Sequence, residues 1–171
     1  MKLKLTVLAV CLLAIVTSCD ELDGIAKFNW DQTVDITVPA TTVADSTYIV
    51  TSDTIAPSVK LNEDGHDISV FNTAMLNSMT LKIITPDAGN FNWAQSGVIT
   101  LERVDLPDQP IVELARIDNV DADIDEIIVP VDKELIEILK EGSYIFKFET
   151  TTKEIIPVEH IVKVTSSYTI G

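Results

Sequence analysis

Few side chains in this sequence stand at spacings that chemistry uses. Asp121-Ala-Asp123-Ile-Asp125-Glu126 has the alternation of carboxylates that can surround a hard cation. A calcium loop of that kind also needs glycine at its sixth position and a bidentate glutamate at its twelfth. Glu126 and Asp132 stand there instead, so the stretch reads as a solvated acidic loop and no metal is expected. His66 and His160 are the only histidines, and neither has a partner at ligand or triad spacing. Both are expected to be hydrogen-bonded structural residues. No nucleophile elbow, zinc-protease helix motif or phosphate-cradling glycine loop occurs. With 27 Asp and Glu in the chain, spacing alone picks out no carboxylate pair for glycoside chemistry. The expectation is a protein that is not an enzyme and needs no cofactor.

Two short stretches echo each other: Phe28-Asn-Trp-Asp-Gln32 and Phe91-Asn-Trp-Ala-Gln95. One reading makes Trp30 and Trp93 a platform that stacks on sugar rings, with Asn29, Gln32, Asn92 and Gln95 bonding hydroxyls. The other reading, and the favoured one, has both aromatic pairs pin strands into the core, because aromatic rings dominate core burial. The echo extends no further than five residues, so no internal duplication is inferred.

The two thiols, Cys11 and Cys19, both lie near the start of the chain. Lys2 and Lys4 precede an apolar run from Leu5 to Val16, which ends at Val16-Thr-Ser-Cys19 and is followed at once by Asp20-Glu21-Leu22-Asp23. The run suits a signal segment and falls short of the ~20 apolar residues a bilayer-spanning helix requires. This stretch resembles the signal peptide of a bacterial lipoprotein, with Val16 to Cys19 matching the lipobox. The resemblance implies cleavage before Cys19, a diacylglyceride on its thiol and acylation of its amine. Residues 1–18 are then a signal peptide, 19–27 a lipidated tether and 28–171 a single domain. Two or three acyl chains anchor stably where one binds only marginally. With Cys11 removed and Cys19 alkylated, the mature domain keeps no thiol, and stability must come from a packed core.

Charge narrows the partners. The chain has 12 Lys and Arg against 27 Asp and Glu, a net of −15, and loses Lys2 and Lys4 with the signal. No basic patch is present to meet phosphates, so nucleic acid is not an expected partner. An anionic membrane surface would repel this body, which leaves attachment to the lipid.

From residue 28 onward the pattern is that of strands. Phe28, Trp30, Val34, Ile36 and Val38 alternate with polar residues, and Pro39 closes the run. Residues 45–59 suggest a ragged edge strand, Asn62–Gly65 a turn, and Ile68–Leu76 a short helix or a loop packed on the core. Met79–Ile83, Val98–Val104 and Ile111–Ile117 read as strands. Ile127–Val131 reads as an edge strand because Pro130 interrupts it. Asp132–Glu141 is the best helix, with Asp132 as N-cap, Val131 and Ile136 as a staple, and Gly142 past its end. Ser143–Glu149 alternates most cleanly and is expected to be central. Val158–Ile170 closes the chain. About eight short strands with one or two short helices and no βαβ rhythm predict an all-β antiparallel sandwich, immunoglobulin-like in general architecture.

From the lipobox to the closing strand the layout resembles small uncharacterised lipoproteins of the Bacteroidetes bacteria. The likeness rests on the lipobox, the acidic tether, the aromatic-led first strand, Leu81-Lys-Ile-Ile-Thr-Pro86, and the turn from Leu139 to Phe146. It implies a sandwich and no known activity. Asp20, Glu21 and Asp23 are similar to the surface-export signal of such bacteria. The expected protein is therefore lipid-anchored in the outer membrane and faces outward, the alternative being its periplasmic side. Its expected role is accessory or structural, in contact with other surface proteins; the alternative is a glycan-binding module using Trp30 and Trp93.

Overall fold

The computed structural model describes residues 27–105, 111–118, 120 and 123–171. Cys19, Asp20, Glu21 and Asp23, with the whole signal segment, lie outside the described residues.

Eight strands form two four-stranded antiparallel sheets. In chain order they are β1 (Phe28–Val38), β2 (Thr47–Thr51), β3 (Ala74–Thr85), β4 (Ala94–Arg103), β5 (Val112–Asp118), β6 (Glu126–Glu134), β7 (Tyr144–Thr152) and β8 (His160–Ile170). Helix α1 (Pro57–Glu63) and a 3-10 turn (Ile68–Val70) follow β2; helix α2 (Ile136–Lys140) follows β6. The sheets are ordered β1-β8-β3-β6 and β2-β7-β4-β5. The general architecture is the sandwich that the alternation predicts. Its connection is that of a jelly roll. Strands pair as β1 with β8, β2 with β7, β3 with β6 and β4 with β5, as in one long ribbon folded back on itself. The ribbon then rolls, so that β8 also pairs with β3 and β7 with β4.

Period-two burial drives the rolling. On β8 every even residue from His160 to Ile170 is buried and every odd one is half-exposed. On β7 Tyr144, Phe146, Phe148, Thr150 and Thr152 face inward. Successive side chains of a strand point to opposite faces, so one face of each sheet becomes apolar and must be covered by the other. Tyr144, Phe146, Tyr168, Leu76, Leu81, Ile36 and Ile99 are among the fully buried side chains of the shared core. Burying a side chain of this size contributes about 1.5–3 kcal/mol.

Several boundaries differ from the sequence expectation. The stretch 45–59 gives only five residues of edge strand before Pro57 opens α1, proline being suited to a first helical turn whose amides have no partner anyway. Ile68–Leu76 divides into the 3-10 turn and the start of β3. The larger correction concerns Asp132, which is exposed within β6 and caps nothing. Pairing of Met75 with Glu134 and Leu76 with Lys133 extends β6 to residue 134, tertiary pairing overriding weak strand formers. Helix α2 starts at Ile136 instead, and Glu134 Oε1 accepts from Ile136 N at 2.9 Å and from Ala74 N at 2.7 Å. One carboxylate thus joins the helix start to the neighbouring strand. Gly142 follows with φ +132, a region side-chain-bearing residues rarely adopt.

The elements sort by end. Helices α1 and α2 and the 3-10 turn pack together where β1 begins and β8 finishes. Gly171 N donates to Thr73 O at 3.0 Å there, and Gly171 lies against the Lys27 side chain. The four loops joining β1–β2, β3–β4, β5–β6 and β7–β8 lie at the far end. They are tied by Thr41 N to Ile156 O, Lys153 N to Trp93 O and Phe91 N to Ile124 O, at 2.8, 2.9 and 2.8 Å.

The two acids can be told apart by stability. Glu134→Ala should cost about 1 kcal/mol, as for a lost cap, and Asp132→Ala should be close to neutral. Urea unfolding of both variants checks this; equal losses would contradict the assignment of the cap to Glu134.

Candidate functional site

The two tryptophans are not brought together, and neither offers a face to solvent. Trp30, on β1, is 6% exposed; Trp93, just before β4, is 1% exposed. Trp30 packs on Tyr168 with ring centroids 5.5 Å apart, and its Nε1 donates to Asp64 Oδ2 at 3.2 Å, linking β1 to the end of α1. Trp93 lies between Phe91 and His160, with centroids at 5.9 and 5.6 Å. A platform for sugar rings needs exposed faces, so the burial of both rings fits the favoured reading of core anchors and not the alternative of a stacking platform. Each ring ends up inside because it occupies an inward position of a strand or its lead-in, where alternation puts it.

The histidines also serve the fold. His66 stacks on Phe28 at 4.0 Å, under the helical end. His160 is buried at the start of β8, where Nδ1–H donates to the Val158 carbonyl at 2.8 Å. In the acidic loop, Asp123 accepts weakly from Asn90 Nδ2 at 3.4 Å, and the Asp125 carbonyl takes the Ile83 amide at 2.9 Å. Asp121 lies outside the described residues. Among the described residues, no group of three or more His, Cys, Asp or Glu side chains gathers as a metal site would require.

The structure points instead to a cleft beside β1. The inward side chains of β1 are Phe28, Trp30, Gln32, Val34, Ile36 and Val38, and Gln32 alone among them carries an amide. It is 6% exposed, and its register partner on β8 is Ser166, fully buried. Gln32 Oε1, like Trp93 Nε1 and the Tyr144 hydroxyl elsewhere in the core, has no hydrogen-bond partner among the described residues. A buried polar atom left unpaired costs about 1–3 kcal/mol, so packing gives no reason for an amide at this position. Gln32 lines a cavity of about 210 Å³ together with Asp31, Thr33, Ile55, Ala56 and Lys60. Strand β1 supplies one wall. The other is the chain between β2 and α1, which returns to the sheet at Ile55 opposite Tyr144. Lys60 Nζ stands 3.4 Å from Glu63 and 3.6 Å from Asp64. A hydrogen bond to Glu63, with Asp64 close by, holds its ammonium above the ordinary lysine value.

A second hollow of about 320 Å³ lies on the outer sheet face, lined by Lys27, Thr73, Met75, Asn77, Glu134 and Thr169. Its polar groups already serve one another. Asn77 donates to Thr169 at 2.9 Å, Thr73 to the Gly171 carbonyl at 3.0 Å, and Glu134 holds the α2 start. The β1 cleft differs from that hollow in that Gln32 Oε1 has no partner among the described residues. Sequence reasoning named Gln32 only as a companion of Trp30. A glutamine at an inward position of an otherwise apolar strand face was the signal that marks it.

No family model matches this sequence, and no curated protein matches it. Among solved structures, the chain is similar to the decameric BFDV capsid protein at 7% identity, over 85% of this chain and 99% of that one, with a TM-score of 0.38. It is also similar to a tomato aspermy virus structure at 12% identity, over 94% and 93%, with a TM-score of 0.34. Desmodium yellow mottle tymovirus gives 11% identity over 86% and 89%, with a TM-score of 0.30. Likenesses this distant carry no argument about function. The strands themselves define the class, an eight-stranded jelly-roll β-sandwich.

Two measurements follow from the buried rings. Tryptophan emission should be blue-shifted and unmoved by added polysaccharide, and Trp93→Ala should cost about 3–5 kcal/mol; red-shifted emission that responds to a glycan would contradict burial. Burial pushes the His160 imidazole below its ordinary 6.5, against the pull of the Val158 carbonyl. The unfolded chain then binds the proton more readily, so the stability this residue contributes is present above 6.5 and is lost as pH falls from there through the lowered value of the folded state. His160→Gln should flatten the fall in Tm between about pH 7.5 and about pH 5.5; an unchanged slope would show that other groups cause it.

Proposed function

We propose that this chain is a non-enzymatic, lipid-anchored surface domain of an outer membrane, held by Cys19 and displayed to contact other proteins. The observation that carries the reading is the match of Val16-Thr-Ser-Cys19 to a lipobox, at the end of an apolar run and directly before Asp20, Glu21 and Asp23. The structure supports it by economy of distance. Strand β1 begins nine positions after Cys19, at the helix-capped end of the sandwich. A tether entering there leaves the four tied loops at the membrane-distal end. The long free edge of β1 then stands upright beside the membrane. Asp20, Glu21 and Asp23 are the proposed sorting signal, since a charged segment of low hydrophobicity stays solvated and readable.

In cells that process lipoproteins, Cys19→Ala should abolish incorporation of a clickable fatty acid; undiminished label would sink the anchoring site. Replacing Asp20, Glu21 and Asp23 by Ala, Gln and Ala should leave Tm within about a degree, since surface changes away from special features stay within ~0.5 kcal/mol. Protease shaving of intact cells should degrade the wild type and spare that variant. Equal digestion would show that the acids are not the address, and protection of both would put the domain on the periplasmic side.

A further inference from the structure

A rolled ribbon leaves four sheet edges, and three of the four are blunted. Strand β2 is five residues long. Strand β5 carries a register shift opposite Ile99 and Thr100. Strand β6 contains Pro130 and a shift opposite Leu76 and Ser78. Short strands, bulges and prolines are how proteins prevent an open edge from capturing another chain. Strand β1 has none of them. All eleven of its residues pair with β8 without interruption. In an antiparallel ladder every second residue directs its N–H and C=O away from its partner strand. Among the described residues, those of β1 make no backbone hydrogen bond outside that ladder. The free edge reaches the cleft at Asp31, Gln32 and Thr33, where the buried, unpaired Gln32 Oε1 lies.

We infer that the β1 edge and the Gln32 cleft together form a peptide-binding site, which takes an extended basic segment of a partner protein as an added strand. The inference rests on the protein-contact role proposed above and names the kind of partner. Main-chain bonds to the edge would supply affinity, and alternate side chains would supply specificity. A side chain of the added strand that points inward beside Gln32 enters the cavity, whose volume suits a short one. A half-turn of the amide presents either its oxygen or its nitrogen there, so a hydroxyl or amide is matched as acceptor and donor. Side chains on the outer face would stand beside Asp31 and Asp35, the charged residues of β1.

Charge decides the occupant. A second copy pairing antiparallel about Thr33 would set Asp31 opposite Asp35 twice, and like charges directly opposite destabilise a strand pair. Each copy also brings a net charge of −15. A lysine- or arginine-bearing strand reverses both terms. Lys60 does not offset the acids, because it already faces Glu63 and Asp64.

The test uses the mature lipidated chain in detergent and a fluorescent alternating lysine–threonine octapeptide, followed by anisotropy. Saturable binding is expected. It should weaken at least ~tenfold in Gln32→Leu and in the Asp31→Lys, Asp35→Lys pair, and hold in Asp132→Lys, a control charge reversal on β6. Gln32→Leu should keep or raise Tm, since it removes an unpaired buried group, which separates lost binding from lost folding. The same peptide with every backbone amide methylated keeps its charge and should not bind. Absence of binding, equal binding of the methylated peptide, indifference to the β1 variants, or β1-dependent self-association in place of peptide binding would each overturn the inference. Fatty-acid labelling and shaving read the anchor separately, so a displayed chain that binds nothing sinks the edge site alone. A chain that binds but carries no lipid sinks the anchor alone.

Discussion

Everything in this sandwich depends on β7 and β8 being bonded along both edges while burying one face. A flat eight-stranded ribbon would satisfy the first pairings and leave its apolar side in water. The second pairings, β8 with β3 and β7 with β4, form only when the ribbon rolls and the two inward faces meet. Their driving force is the apolar surface removed from water by residues such as Phe146, Phe148, Val162 and Tyr168. The same rolling fixes which edges remain open. Interior β7 and β8 have none, and β1, β2, β5 and β6 carry the cost of termination. The fold and the proposed edge site are thus two consequences of one closure.

Polar groups inside this frame are mostly spent on joining elements. Glu134 ties α2 to β3, and Asp64 ties α1 to Trp30. Arg103, held at 2.8 Å by both Asp105 and Glu141, fastens the end of β4 to the turn after α2. Gly142 belongs to this knot, since a Cβ there would approach Asp105 Oδ2 to 3.0 Å. Against that economy, Gln32 Oε1, Trp93 Nε1 and the Tyr144 hydroxyl are buried without a partner among the described residues, and of the three Gln32 lines the cleft beside β1. Proteins that keep such a group at an open edge gain something other than stability from it.

Much of the fold was legible because it follows from alternation. The span of β1, the closing run of β8, the central place of β7 and the edge character of β6 all follow from period-two burial and a single proline. What was not legible depends on partners distant in sequence. Asp132 has the local grammar of a cap, yet β6 runs past it because β3 offers pairing partners through residue 75. Helix α1 is seven residues with no side-chain cap, too weak a local signal to separate from the strand-like 45–59. Trp30 and Trp93 are alike in sequence context but anchor different sheets. The orphaned amide of Gln32 became visible only when β8 placed Ser166 opposite it. The proposed lipobox is the reverse case: its reading rests on a short local motif and on no tertiary partner.

The claim that joins the anchor to the sandwich is that the mature chain begins at Cys19 and carries lipid there. Intact-mass spectrometry of the protein purified from a host that processes lipoproteins tests it most directly. The account predicts loss of residues 1–18 and the added mass of a diacylglyceryl group with an acylated amine on the new N-terminal residue. A chain that keeps its first eighteen residues, or one cut elsewhere and free of lipid, would contradict it.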